Sequence, residues 1–238
     1  MTEHVDWWNG PMVGFDLETT GVDQETVRIV TANLTYDDPS TGNRAVSNLL
    51  LDPGVEIPQE SSNVHGITTE HARTHGMPAA DGVRKLLELM NGYAHLPFAV
   101  FNGCFDFTIL DREARRNGLT PFAPDTVLDA LVMDKAIDRF RRGARTLTAT
   151  TAVYGVTLMN AHSADADAFA AMEIARAIGR AGKVTSDLHE LHAQQVAWRA
   201  EQSASFERYL IEKKGQADAH IERAWPLVPF PGQAVTAA

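Results

Sequence analysis

The chain has 238 residues, 44% of them hydrophobic and 22% charged, and a formal net charge of −10; this is the composition of a globular protein long enough to bury a substantial core. That acidity excludes a general nucleic-acid coat, because non-specific duplex binding is driven by Lys and Arg on phosphates. A nucleic-acid enzyme that grips only a strand end, with cations neutralising the phosphates, stays open.

The single cysteine, Cys104, precludes an internal disulfide and fits a reducing compartment. Residues Met1 to Trp8 lack the basic region and apolar core of a signal peptide, and no apolar run approaches spanning length. A cytoplasmic location is expected.

Met12 to Gly21 reads Met-Val-Gly-Phe-Asp-Leu-Glu-Thr-Thr-Gly. Val13, Phe15 and Leu17 alternate with Gly14, Asp16 and Glu18 before Thr-Thr-Gly breaks the run, which predicts a short strand and a turn. Strand side chains repeat every two residues, so Asp16 and Glu18 share a face. Two adjacent carboxylates on a mostly apolar strand repel and are costly to bury, and hard divalent cations are the usual counter-charge. A strand with one wet face is the plainer alternative.

Val27 to Tyr36 and Arg44 to Leu51 read as further strands, joined by the turn Asp37-Asp38-Pro39-Ser40-Thr41-Gly42. Together the three predict an antiparallel meander. Pro58 to Thr68 reads as loop. From Ala80 to Tyr93 apolar residues recur at helical spacing, and Phe98 to Phe101 reads as a buried strand. Phe107 to Asn117 is expected to be a helix stopped at Gly118, Thr126 to Leu128 a strand feeding a helix through Ile137, and Thr146 to Tyr154 a short helix closed at Gly155. An Ala-rich helix is expected from Asp165 to Ala181. Strands first, then alternation with helices, give an α/β domain with a mixed sheet, an antiparallel meander plus parallel strands.

After Gly182 the character changes. Ser186 is a candidate cap for a long amphipathic helix carrying Leu188, Leu191, Gln195, Trp198, Gln202, Phe206 and Tyr209, followed by Gly215 and a tail with Trp225. Its aromatic stripe is read as a face packed back on the core. The expected organisation is therefore a domain over residues 1–182 and a helical extension over residues 183–238. Gln202-Ser203-Ala204-Ser205-Phe206 is read as helix surface rather than a sliding-clamp peptide, and no segment identifies a polymerase partner.

Asp106 lies just past a predicted strand, where such a sheet places its site residues. With Asp16, Glu18, Asp167 and one His it makes an oxygen-rich set suited to magnesium or manganese rather than zinc. Two such ions can hold the attacking and leaving oxygens of a phosphodiester displacement.

Phe-Asp-Leu-Glu-Thr-Thr-Gly (from Phe15), Asn-Gly-Cys-Phe-Asp (from Asn102) and His-Ser-Ala-Asp-Ala-Asp (from His162) resemble the three motifs of the DEDDh family, the DnaQ-like 3′–5′ exonucleases. Val64-His65-Gly66-Ile67-Thr68 is similar to that family's loop between the first two motifs. Each motif is short; their order and separation are specific, and they span about Met12 to Ala181.

The resemblance implies a ribonuclease-H-like fold, with Asp16, Glu18, Asp106 and Asp167 holding two Mg²⁺ or Mn²⁺ ions and His162 as general base. Its expected substrate is the 3′ end of single-stranded or frayed DNA, with an RNA or short-oligonucleotide exonuclease as the runner-up and a catalytically idle nucleic-acid-binding module as the rival of another class. Helical spacing weakly favours Asp165 over Asp167 as the partner of His162, whereas the family's spacing selects Asp167; Asp165 is then a first-turn acid complementing the helix dipole. Thr19, Thr20, Gly21, His65 and Asn102 are candidate substrate contacts, each with a local turn-forming role as the alternative. Asp129 reads either as a supporting acid or as a helix cap. The basic run Arg139 to Arg145 reads equally as a phosphate contact and as a solvated surface, and Cys104 as a packing residue.

Overall fold

The computed structural model describes residues 6–158 and 163–232. The meander forms from β1 (Met12–Thr19), β2 (Ile29–Asp38) and β3 (Asn43–Asp52), all antiparallel, with Asp16 opposite Asn33 and Glu18 opposite Thr31. A two-residue strand, β4 (Met77–Pro78), adds parallel to β3. On the other side β5 (Phe98–Val100) runs parallel to β1, and β6 (Val127–Asp129) parallel to β5. The sheet order is β4-β3-β2-β1-β5-β6. This is the mixed α/β sheet that the pattern of strands and helices predicts.

The helices are α1 (Gln59–His65), α2 (Thr69–His75), α3 (Ala79–Gly92), α4 (Cys104–Arg116), α5 (Ala130–Ile137), α6 (Leu147–Tyr154), α7 (Ala164–Arg180) and α8 (Leu188–Lys214). Three differ from expectation, and α2 lies where no element was expected. The segment Pro58 to Thr68 is not loop but holds α1, seated after Pro58 and stopped by Gly66 at φ +78°. Ser62 is its buried residue, so no apolar periodicity announced it. Helix α4 starts one turn early, at Cys104, which puts Asp106 inside its first turn. Helix α8 is capped by Asp187, whose carboxylate accepts the Glu190 N–H at 2.9 Å, and not by Ser186.

Strand alternation gives the sheet two buried faces. Val13, Phe15 and Leu17 pack with Leu86 and Met90 of α3 and Phe107 and Leu110 of α4. Met12, two residues before Gly14 on the opposite face, packs with Met172, Ala175 and Ile178 of α7. Gly14 fixes how closely α7 approaches: a Cβ there would lie 2.8 Å from the Ala168 carbonyl oxygen. The same face of β1 that must be bare at Gly14 carries Asp16 and Glu18 next along the strand. The Ala-rich composition of α7 thus has a direct use, since small side chains let its first turn reach those carboxylates.

Edge strand β6 is closed by α8. Gln195 is fully buried: its Oε1 accepts the Asp129 N–H at 2.7 Å, its Nε2–H donates to the Val127 carbonyl at 2.8 Å, and His192 Nδ1 accepts the Val127 N–H at 3.1 Å. Side chains of the helix satisfy the backbone groups that a further strand would have taken. The aromatic stripe of α8 divides, however: Trp198 packs against the core, whereas Phe206 and Tyr209 are exposed. Only the N-terminal half of that face has a sheet to cover. Within the segment from Gln202 to Phe206, Gln202 donates to the Val132 carbonyl and the Ser203 hydroxyl to the Glu222 carbonyl, so these two point inward. Among the described residues no helix is long and apolar enough to cross a membrane.

Candidate functional site

Three carboxylates from two elements converge. Asp16 and Glu18 on β1 and Asp167 in the first turn of α7 each offer an oxygen, and these lie within 4.8 Å of one another. Asp106 adjoins them from α4, buried, with Oδ1 accepting the Leu17 N–H at 3.2 Å across the strand. Asp165 is exposed and stands outside this cluster. His162 lies outside the described residues.

The electrostatics follow from crowding. Burial, then Asp106, Glu18 and Asp167 in that order, hold the Asp16 carboxyl well above the usual carboxylate range. Burial and then Asp167 push Glu18 up to about 7. Burial also raises Asp106, against the stabilising hydrogen bond from Leu17, with Asp129 and Glu18 adding to the rise. Such a cluster is unfavourable by itself and fits a cation: all donors are oxygens, which suits hard divalent ions.

Asp106 is positioned by a turn and the acid beneath it. Asn102 adopts φ +68°, a left-handed conformation that Asn tolerates better than most residues. Gly103 follows because a Cβ there would sit 2.3 Å from Val100 Cγ2. The Asp129 carboxylate accepts the Asn102 and Gly103 N–H groups at 3.0 Å each, and the Leu131 and Val132 N–H groups at 3.0 and 3.3 Å. Asp129 therefore caps α5 and holds the turn that leads to Asp106; the two sequence readings are one arrangement.

Trp225 completes it. Its indole N–H donates to Asp129 Oδ2 at 3.3 Å, and the ring is buried in the core under α4. The tail continues along α4, where the Val228 N–H donates to Thr108 Oγ1 and Arg112 binds the carbonyls of Val228 and Pro229. Trp225→Phe should cost about 1 kcal/mol, the worth of one hydrogen bond, and Trp225→Ala about 3–5 kcal/mol. Urea unfolding of both variants measures this; an Ala variant as stable as the parent would show the tail to be unattached in solution.

The candidate substrate contacts divide. Thr19, Thr20, Gly21 and His65 line a groove of about 400 Å³ that also includes Glu18 and Phe105. The Thr19 hydroxyl donates to the Gly21 carbonyl at 2.6 Å and Thr20 Oγ1 accepts the Arg28 N–H at 3.0 Å, so both also build the turn. His65 Nδ1 accepts the Ile67 N–H at 3.1 Å, and burial holds its imidazole below the ordinary value. A second groove, about 250 Å³, lies on the other flank of Glu18 and includes His65, Asn48 and Asp165. Asn102 is exposed and lines neither groove; its backbone conformation accounts for it.

The basic run is partly structural. Arg141 and Arg145 bind the buried Asp134, which also accepts the Tyr154 hydroxyl, and Arg139 pairs with Glu201 at the surface. Cys104 is buried, its Sγ 3.4 Å from the Ala224 carbonyl, and burial pushes its thiol up to about 11. That is a packing residue. Phe105, Gln195 and Trp225 were not singled out from the sequence as parts of the site or its support. Of these Trp225 carried the clearest signal, as a large aromatic in the tail.

The model of a family described as exonuclease matches residues 13–175. No curated protein matches the chain. Among solved structures, Escherichia coli Exonuclease I in complex with a dT13 oligonucleotide is 20% identical with a TM-score of 0.57, over 70% of this chain and 40% of that one. The zinc ion bound form of the E. coli Exonuclease I–single-stranded DNA complex is 17% identical with a TM-score of 0.63, over 84% and 45%. A moderately thermophilic Exonuclease I from Methylocaldum szegediense is 21% identical with a TM-score of 0.58, over 72% and 40%. At these identities the likeness is one of fold, and this chain spans less than half the length of those proteins.

Proposed function

The chain belongs to the DnaQ-like DEDDh exonuclease family, and from that premise we propose that it is a metal-dependent 3′–5′ exonuclease releasing nucleoside monophosphates from single-stranded or frayed DNA. The observation that carries the reading is the convergence of Asp16, Glu18 and Asp167, with Asp106 beside them. A binding module has no use for carboxylates packed against their own charge; a hydrolase that assembles hard cations has one.

In this reading Asp16, Glu18, Asp106 and Asp167 would hold two Mg²⁺ or Mn²⁺ ions. When bound, such ions supply positive charge against the phosphate and make an attacking water more acidic. His162, by resemblance to the third family motif, takes the proton of that water. The groove beside Glu18, lined by Thr19, Thr20, Gly21 and His65, receives the terminal nucleotide, and Phe105 offers a face for its base. The hydrogen-bonded turn of Thr19 to Gly21 keeps that wall rigid. Two structural neighbours are described in complex with dT13 and dA16 oligonucleotides, which supports DNA as substrate. A place in DNA proofreading or repair suits this activity, and a cytoplasmic setting suits the one buried cysteine.

The test is digestion of matched 5′-labelled single-stranded DNA and RNA with Mg²⁺, Mn²⁺, Zn²⁺ or excess chelator. A ladder shortening from the 3′ end of DNA is expected with Mg²⁺ or Mn²⁺, and none in chelator. Full activity in chelator after exhaustive dialysis would refute metal dependence, and preferential digestion of RNA would refute the substrate.

A further inference from the structure

A further groove lies away from the carboxylates. It lies between α5 and α8, about 440 Å³, lined by Lys135, Arg139, Arg145, Trp198, Phe206 and Tyr209. We propose that this groove binds single-stranded nucleic acid as a second contact, upstream of the terminus held at the carboxylates. The proposal rests on the exonuclease reading for its choice of strand and polarity.

Charge is the first argument. On a chain of net charge −10, this lining has three cations against the single carboxylate of Glu201. Arg145 is committed to Asp134, and the Arg139–Glu201 pair is exposed at both ends, so water and salt weaken it. Lys135 is different. Among the described residues it forms no ion pair within 4 Å, and burial, then the guanidinium of Arg199, hold its ammonium below the ordinary value against the more distant carboxylates of Asp129 and Asp134. Arg199 itself keeps a buried Nε without a hydrogen-bond partner. Cations gathered on one partly buried wall, answered only in part by Asp129, Asp134 and Glu201, are relieved further by an incoming anion, and a phosphate is one.

The rings are the second argument. Phe206 and Tyr209 are 52% and 45% exposed, with centroids 6.4 Å apart and planes within 15°. The Lys214 ammonium lies 5.8 Å from the Tyr209 ring centroid. Phe140, 88% exposed, follows Arg139 in sequence, and the guanidinium lies 5.9 Å from that ring. Exposed aromatic faces flanked by cations suit bases and phosphates together, which is how sequence-tolerant single-strand sites are built. A purely apolar partner surface would leave the cations unanswered.

Placement is the third. Helix α5 begins beyond Asp129, the residue that holds the turn before Asp106. Lys135 is about 10 Å further along that helix. The groove is thus built on the helix capped by Asp129, the same acid that holds the turn before Asp106.

The experiment uses the full chain without metal, so that nothing is cleaved, and a 5′-fluorescein oligo-dT of about 16 nucleotides, near the upper site size of a single-strand-binding fold. Lys135→Glu with Arg139→Glu, and separately Phe206→Ala with Tyr209→Ala, should each weaken binding by about tenfold or more in fluorescence anisotropy, one or two lost stacks being worth that much. In Mg²⁺ the same variants should hydrolyse a dinucleotide at the parent kcat while KM for the long strand rises. Lys135→Gln and Tyr209→Ser provide milder versions should a double variant misfold. Unchanged affinity in well-folded variants overturns the proposal. So does unchanged DNA affinity combined with dissociation of a dimer in light scattering, which would make this face a protein interface. If the parent cleaves neither substrate, the exonuclease reading fails, and the anisotropy still decides whether the groove holds nucleic acid.

Discussion

Asp16→Asn and Asp106→Asn should each lower turnover by about 10³-fold or more while making the metal-free protein more stable at pH 8. The kinetic part follows from losing a ligand. Charge stabilisation of several kcal/mol depends on the bound ions, and each 1.4 kcal/mol or so is a decade in rate. The stability part follows from the crowding of Asp16 with Asp106, Glu18 and Asp167. Carboxyls raised in the folded state and ordinary in the unfolded state make folding take up protons. Their penalty is absent below the unfolded value near ~4, grows as pH rises, and for Glu18 is complete by about 7. Asparagine removes one charge and, at position 106, can still accept the Leu17 N–H through its amide oxygen. Melting temperature in chelator should therefore rise by about 2–4 °C per kcal/mol of relieved repulsion. The gain should shrink toward pH 4 and be reversed in saturating Mg²⁺, where the parent alone gains full binding energy. A metal-free variant that melts many degrees below the parent at pH 8 would make these acids structural.

The sheet was legible because its alternation is strict where it matters: Val13, Phe15 and Leu17 against Gly14, Asp16 and Glu18 gave both faces of β1 and the adjacency of two acids. The contact of Asp167 with them was not legible from periodicity. It depends on how closely α7 lies on the sheet, which Gly14 and Ala168 set together across some 150 residues of chain. Spacing along a helix pointed weakly to Asp165, yet the structure leaves Asp165 exposed, because the first turn of α7 turns Asp167 inward. Helix α1 escaped notice since its caps, Pro58 and Gly66, are also loop residues and it buries little. The support of the site from the far end of the chain was illegible for a different reason. Gln195 reads as an ordinary polar position on α8, and only the unpaired edge of β6 makes it a buried partner of Asp129. The exposure of Phe206 and Tyr209 has the same origin, since helical spacing does not say where the sheet under α8 ends.

His162→Ala should retain metal binding and lose about 10²–10⁴-fold in turnover, the usual contribution of a positioned base. The motive is the resemblance of His-Ser-Ala-Asp-Ala-Asp to the family's third motif, joined to the place of Asp167 in that motif among the clustered carboxylates. With Asp16, Glu18, Asp106 and Asp167 intact, the ligand oxygens are unchanged, so calorimetry should give the parent's metal affinity. Asp167→Asn should instead weaken metal binding and be as severe as Asp16→Asn. Asp165→Asn should stay within about twofold, as surface substitutions do at roughly 0.5 kcal/mol. In the parent, single-turnover cleavage at saturating Mg²⁺ should rise with pH as the imidazole loses its proton, because only the neutral imidazole can accept one. That rise should disappear in His162→Ala and persist in Asp165→Asn. Single-turnover rates across pH for the three variants, with metal binding followed in parallel, separate the roles. A His162→Ala protein of near-parental rate, or one inactive only because metal no longer binds, would remove His162 from the chemistry and leave the base to be sought elsewhere.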